Sequence, residues 1–142
     1  MYGTLEDLKK EISEEELIEL TDDAGIGEID QSVINEIGAR SDGEINGYLA
    51  IRYKLPFETT PDLIKRIWVD IVLYYLKLRR AVVSDDVKER KSNANRQLKL
   101  VAEGKITLGV PAEEEPEEKD TTEVGVATRD KRFDDDAWEG YD

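Results

Sequence analysis

The chain has 142 residues, with 34 acids against 20 bases, a formal net charge of −14, and neither cysteine nor histidine. Disulfides and thiolate metal sites are therefore excluded, together with the commonest general base and the commonest transition-metal ligand. The length suits one ordinary domain plus an appendage. No apolar run approaches the ~20 residues that cross a bilayer and no leader pattern opens the chain, so the expectation is a soluble, unprocessed protein without a membrane partner.

In chain order, Thr4 with Asp7 makes a capping-box-like start for a short helix over residues 4–10. Ser13 followed by Glu14, Glu15 and Glu16 repeats the logic, an N-cap and then acids where the helix dipole favours them. That second helix runs to about Leu20 and buries Leu17 and Leu20. Between Leu20 and Ile34 the chain reads LTDDAGIGEIDQSVI. Counted from Asp22, Gly27, Ile29 and Asp30 fall on the glycine, apolar and ninth positions of an EF-hand loop. Ala24, Ile26 and Val33 stand where oxygen ligands belong and cannot bind a hard cation. The spacing predicts a tight helix-to-helix turn, with Gly25 and Gly27 free to take positive φ, solvated acids at its rim, and no metal site. The alternative is a degenerate EF-hand-like binding module with a weak calcium response through Asp22, Asp23, Glu28 and Asp30.

Asp30 caps a third helix expected to reach about Tyr53, with Ile34, Ile37, Ile45, Tyr48 and Leu49 at three- and four-residue steps. Gly38, Gly43 and Gly47 lie inside it, and each costs up to ~1 kcal/mol relative to alanine. Two readings follow: a kink or loop near Ser41–Gly43, or a small-residue face against which another helix, from this or a neighbouring subunit, packs closely. Pro56 stops the run. Thr60 as N-cap and Pro61 at the first helical position then open a fourth helix to about Arg80. From Leu63 to Leu78 it is apolar on more than one face, which predicts both a central helix and an oligomer interface.

Ser84 caps a fifth helix to about Glu103, whose apolar stripe is Val87, Ala94, Leu98 and Val101. Its polar face carries Lys88, Arg90, Lys91, Arg96 and Lys99, after Lys77, Arg79 and Arg80. Such a cluster is able to bind nucleic acid, but no aromatics interleave it and the whole chain is acidic. The more economical expectation pairs the basic helix with an acidic partner or with the acidic arm of another copy. Gly104 ends the helix, and Lys105–Val110 alternates as a strand would. The fold class is mainly α: a small bundle of four to five helices over residues 1–110, with an extended acidic arm over residues 111–142. The arm holds 13 acids and 4 bases, too polar to fold alone, yet Phe133, Trp138 and Tyr141 are spaced among its acids. Two readings follow, a disordered acidic tail with stray aromatics, or Phe133 and Trp138 as anchors that order on a partner surface. No catalytic constellation or cofactor motif emerges, and the expectation is a protein that is not an enzyme.

The order of landmarks is itself a signature: MYGTLEDL, EEELIELTDDAGIGEID, GYLAIRYKLPF, a P-x-L start to an apolar helix, and GKITLG, spread over residues 1–109. This arrangement resembles the Mu-like phage and prophage connector family, catalogued without an assigned function and similar in plan to the small helical head–tail adaptors of other tailed phages. Ala24 and Ile26 depart from the fuller Asp/Gly turn of that family. The resemblance implies a structural virion protein of the neck, assembled in the host cytoplasm: a homo-oligomeric ring, a dodecamer in such adaptors, docked under the portal protein. It would join the capsid to a tail-side neck or terminator protein, with genomic DNA passing through its channel without specific binding. Under it, Phe133, Trp138 and Tyr141 are expected to contact the portal or a neighbouring subunit. Trp68, Tyr74, Tyr75, Arg79, Arg80, Lys88, Arg90 and Lys91 are the expected ring contacts.

Overall fold

Four of the five described helices start at a side-chain cap. The computed structural model describes residues 1–112, and the arm aromatics Phe133, Trp138 and Tyr141 lie outside the described residues. Helix α1, Leu5–Lys9, begins after Thr4, whose hydroxyl accepts from the Asp7 amide while the Asp7 carboxylate accepts from the Thr4 amide. Helix α2, Glu14–Thr21, is capped by Ser13 Oγ on the Glu16 amide. Helix α3 spans Gln31–Leu49 behind Asp30, α4 spans Asp62–Arg79, and α5 spans Asp85–Ala102 behind Ser84. No strand forms among the described residues, and no helix there is long and apolar enough to cross a membrane.

Helix α4 is the centre. Ile64, Ile67, Trp68, Val69, Ile71, Val72, Leu73 and Leu76 are all buried, so its apolar surface wraps most of the cylinder. It packs against α1, α2, α3 and α5. Each fully buried aliphatic side chain here contributes ~1.5–3 kcal/mol by removal from water. The fifth helix adds its thin stripe of Val87, Ala94, Leu98 and Val101.

Trp68 is fully enclosed, and glycines make the room for it. A Cβ at Gly3 would overlap the indole ring; one at Gly38 would lie 3.1 Å from Trp68 Cζ2 and would overlap the Met1 sulfur. Gly38 is therefore a close-packing position, as one of the two sequence readings held. The packed partner is the indole of the same chain. Gly43 and Gly47 differ, because a Cβ at either meets nothing within 4 Å. The loop offered as an alternative near Ser41–Gly43 does not form. Ser41 is buried and turns its hydroxyl back onto the Ile37 carbonyl at 2.9 Å, and α3 continues through all three glycines.

Three other expectations shift. Helix α3 ends at Leu49, four residues before Tyr53, which folds back instead through a bond from its amide to the Leu49 carbonyl at 2.8 Å. The cap of α4 is Pro61 rather than Thr60, with no side-chain cap bond, and its carbonyl receives the Ile64 and Lys65 amides. Residues 105–110 do not join a sheet. They bend at both ends, and Ile106, Leu108 and Val110 lean on the core, so the alternation marks one wetted and one packed side without strand pairing. Gly104, at φ 80°, ends α5 with the Lys105 amide donating to the Leu100 carbonyl at 2.9 Å.

The open and the close-packed glycines should respond oppositely to alanine. Gly43→Ala and Gly47→Ala are expected to raise stability by about 0.5–1 kcal/mol each, and Gly3→Ala to lower it by about 1–3 kcal/mol through overpacking on the indole. Urea unfolding of the three variants reads both signs.

Candidate functional site

The turn between α2 and α3 is held by its own acids. Asp22 accepts the Ile26 amide on one oxygen (3.0 Å) and the Gly27 amide on the other (2.7 Å). Those amides, Gly27 foremost, hold its carboxyl below the usual range. Gly25 and Gly27 take φ of 73° and 80°, which closes the loop around the carboxylate. Asp30 receives the Ser32 hydroxyl and amide, which lower its pKa too. Thr21, fully buried, donates to the Leu17 carbonyl and accepts the Asp30 amide, stitching the two ends of the turn together. Of the acids expected to be a solvated rim, Asp22 and Asp30 thus engage donors of the protein itself, while Glu28 is exposed. No group of carboxylates suited to a metal ion occurs among the described residues.

Asp23 turns the other way, toward the end of α4. Arg79 reaches one of its oxygens at 2.6 Å and Arg80 the other at 2.7 Å. Arg79 also donates to the Leu20 carbonyl (2.7 Å) and Arg80 to the Glu19 carbonyl (3.1 Å). These are last-turn carbonyls of a helix with no basic residue of its own in that turn. The other two orphan carbonyls, of Ile18 and Thr21, take the Asp22 and Asp23 amides. The guanidinium pair therefore completes the C-terminus of α2 and neutralises its dipole from a different helix. Its hydrogen bonds, Arg79 first, lower the Asp23 pKa.

A second cluster joins α3, α4 and α5. Glu44 accepts from the Tyr75 hydroxyl at 2.5 Å and from Lys91 Nζ at 2.8 Å. In its hydrogen-bonded orientation the Asn95 amide links Glu44 and Lys91 again. The Arg40 guanidinium lies 4.2 Å over the Tyr75 ring, and Lys91 faces both Tyr74 and Tyr75. Burial pushes the Glu44 carboxyl up, but Lys91 and Tyr75 outweigh it and leave the pKa lowered. Burial, and then Glu44, push the Tyr75 phenol up to about 12. In a third cluster, Arg90 of α5 bridges Asp70 of α4 at 2.6 Å and Glu11 at 3.0 Å. Burial raises the Asp70 carboxyl despite that partner.

These clusters take in most of the residues expected as ring contacts. Trp68 has no exposed surface and is a core residue of this fold. Tyr74, Tyr75 and Lys91 belong to the Glu44 cluster, Arg79 and Arg80 cap α2, and Arg90 bridges α4 to Glu11. Of that set, Lys88 alone is exposed with no ion-pair or hydrogen-bond partner among the described residues. With Ser92, Arg96 and Lys99 it forms an outward stripe of α5 at helical spacing. Sequence reasoning missed Asp70, Glu44, Arg40 and Asn95. Asp70 carried a signal, since a carboxylate between Val69 and Ile71 in an apolar helix demands a cation.

At the opposite end of α4, residues 54–59 and the Val110–Pro111 segment enclose an open groove of about 550 Å³. Leu55, Pro56, Phe57 and Val110 supply its apolar walls, Lys54 a cation and Glu58 an anion. Phe57 is anchored from behind by Tyr53 and Tyr2, at ring distances of 5.9 and 6.2 Å.

The lowered carboxyls give the turn a pH signature. A pKa depressed on folding adds stability that is present above the unfolded value, 3.8, and is lost as pH falls through the folded one. Asp23→Asn is expected to lower the melting temperature at pH 7 and to flatten its decline below about pH 4. Thermal melts of both proteins from pH 2 to pH 7 check this.

The family model described as Bacteriophage Mu, Gp36 matches residues 2–126. The Mu-like prophage FluMu protein gp36 of Haemophilus influenzae is 30% identical over 92 residues, which cover 65% of this chain and 64% of that protein. The chain thus matches a little under two thirds of that relative's length. The alternating caps, the clamped glycine turn and the apolar fourth helix all lie within the matched residues. The chain belongs to the Bacteriophage Mu Gp36 family.

Proposed function

We propose that this protein is a head–tail connector subunit, one copy of a ring that docks under the portal and joins capsid to tail around a DNA channel. Membership of a bacteriophage family supports the reading, and one structural observation carries it furthest. The polar clusters of the bundle, at Asp23, Glu44 and Asp70, hold helices to one another and leave a stiff block with charged outer faces. A ring subunit needs such a block, because small angular errors between copies prevent closure.

The faces are of opposite sign. Lys88, Arg96 and Lys99 line α5 outwardly, while Glu14, Glu15 and Glu19 project from α2. Heterologous contacts join different patches on successive copies, and these two suit one another electrostatically. The net charge of −14 keeps a channel wall from gripping phosphate, because no counterions are released on contact with DNA. In this reading residues 111–142 reach the portal or a neighbouring subunit, and a tail-side neck protein binds the far face.

Imaging of virions carrying a tagged copy is expected to place the label at the neck, between portal and tail. A label elsewhere overturns the proposal. Reversing Lys88, Arg96 and Lys99 to Glu is expected to block ring formation on portal particles while leaving the melting temperature within a few degrees, as for surface substitutions.

A further inference from the structure

We propose that the groove between residues 54–59 and Val110–Pro111 receives the acidic, aromatic segment 133–141 of a second copy of this chain. This rests on the assembly reading above and names one of its contacts. The groove holds about 550 Å³, against about 230 Å³ or less at three other depressions of the surface. Its apolar walls are half-buried side chains already fixed by the core: Leu55, Phe57 and Val110 all pack on it from outside. A preformed slot of this kind costs little ordering when filled.

The occupant is chosen by chemistry. A groove that is apolar inside and cationic at Lys54 calls for a large apolar side chain beside carboxylates. The sequence from 132 to 142 reads RFDDDAWEGYD: Phe133 and Trp138 flank Asp134, Asp135 and Asp136, with Glu139 following. One ring fills the slot while the aspartates meet Lys54 and keep clear of Glu58, which also lines it. Rigid aromatic anchors in desolvated pockets dominate interface energies. Groove and segment are different patches, so the match between copies is heterologous and propagates from one copy to the next. Residues 133–141 lie beyond the span that the family model matches, so the contact belongs to this chain.

Two full-length variants separate groove from segment: Lys54→Glu with Val110→Asp, and Phe133→Ser with Trp138→Ser. By sedimentation at concentrations up to about 1 mM, the range of a single weak contact, the wild type is expected to associate with rising concentration. Neither variant is expected to do so alone, and their equimolar mixture is expected to form a heterodimer, since one supplies an intact groove and the other an intact segment. Association by either variant as strong as wild type, a mixture that stays monomeric, or a wild type that does not associate overturns the proposal. Lys54 is exposed, so Lys54→Glu alone serves as the variant that retains the fold, checked by its melting temperature. It is expected to weaken association about tenfold. Imaging of the neck reports on the connector reading by itself, so the two failures are distinguishable.

Discussion

Trp68 occupies the space between the opening segment of the chain and the middle of α3, and the approach of both is set by that ring. Gly3 and Gly38 bring their backbones against the indole because neither carries a Cβ. A tryptophan at this place lets one helix contact elements on several sides at once, where a smaller side chain would leave a cavity worth several kcal/mol. The remainder of the bundle is arranged around that fixed thickness: α5 packs against both α4 and α3, and the N-terminal residues lie along α3, where Tyr2 meets Asn46 and Asp42.

Around this apolar centre, polar contacts decide angles rather than affinity. Exposed ion pairs contribute ~0–1 kcal/mol each, far below the burial term, but each cluster here joins elements distant in sequence. Glu44 ties α3 to α4 and α5, Arg90 ties α5 to α4 and to the turn after α1, and Asp23 with the two arginines ties the α2 turn to α4. Such cross-links resist the sliding that apolar packing alone permits, and a part that must repeat identically needs that resistance.

Much of this was legible in the sequence, for identifiable reasons. Caps at Thr4, Ser13, Asp30 and Ser84 are local chemistry within three residues of the helix they start, and the glycine spacing of the turn fixes its shape. The buried stripe of α5 and the central character of α4 follow from periodicity. What stayed hidden depends on long-range partners. Gly38 and Gly43 look alike in sequence, and the indole of a helix thirty residues away separates them. The basic residues at the end of α4 read as a surface patch, because nothing local reveals that α2 lacks a terminal cation of its own. The segment after Gly104 has the alternation of a strand, but pairing requires a neighbouring edge, and the described residues contain none.

The borrowed cap of α2 has a consequence for how the chain assembles itself. The donors to its last carbonyls lie 59 and 61 positions further on, so α2 leaves the ribosome well before Arg79 and Arg80 exist. A helix of eight residues is marginal in isolation, and contacts of such separation form after the loop between them has closed. Helix α2 and its turn are therefore expected to consolidate late, once the segment carrying Arg79 and Arg80 has closed onto them. Substitutions at Arg79 or Arg80 should accelerate unfolding and leave the refolding rate nearly unchanged in a chevron measurement.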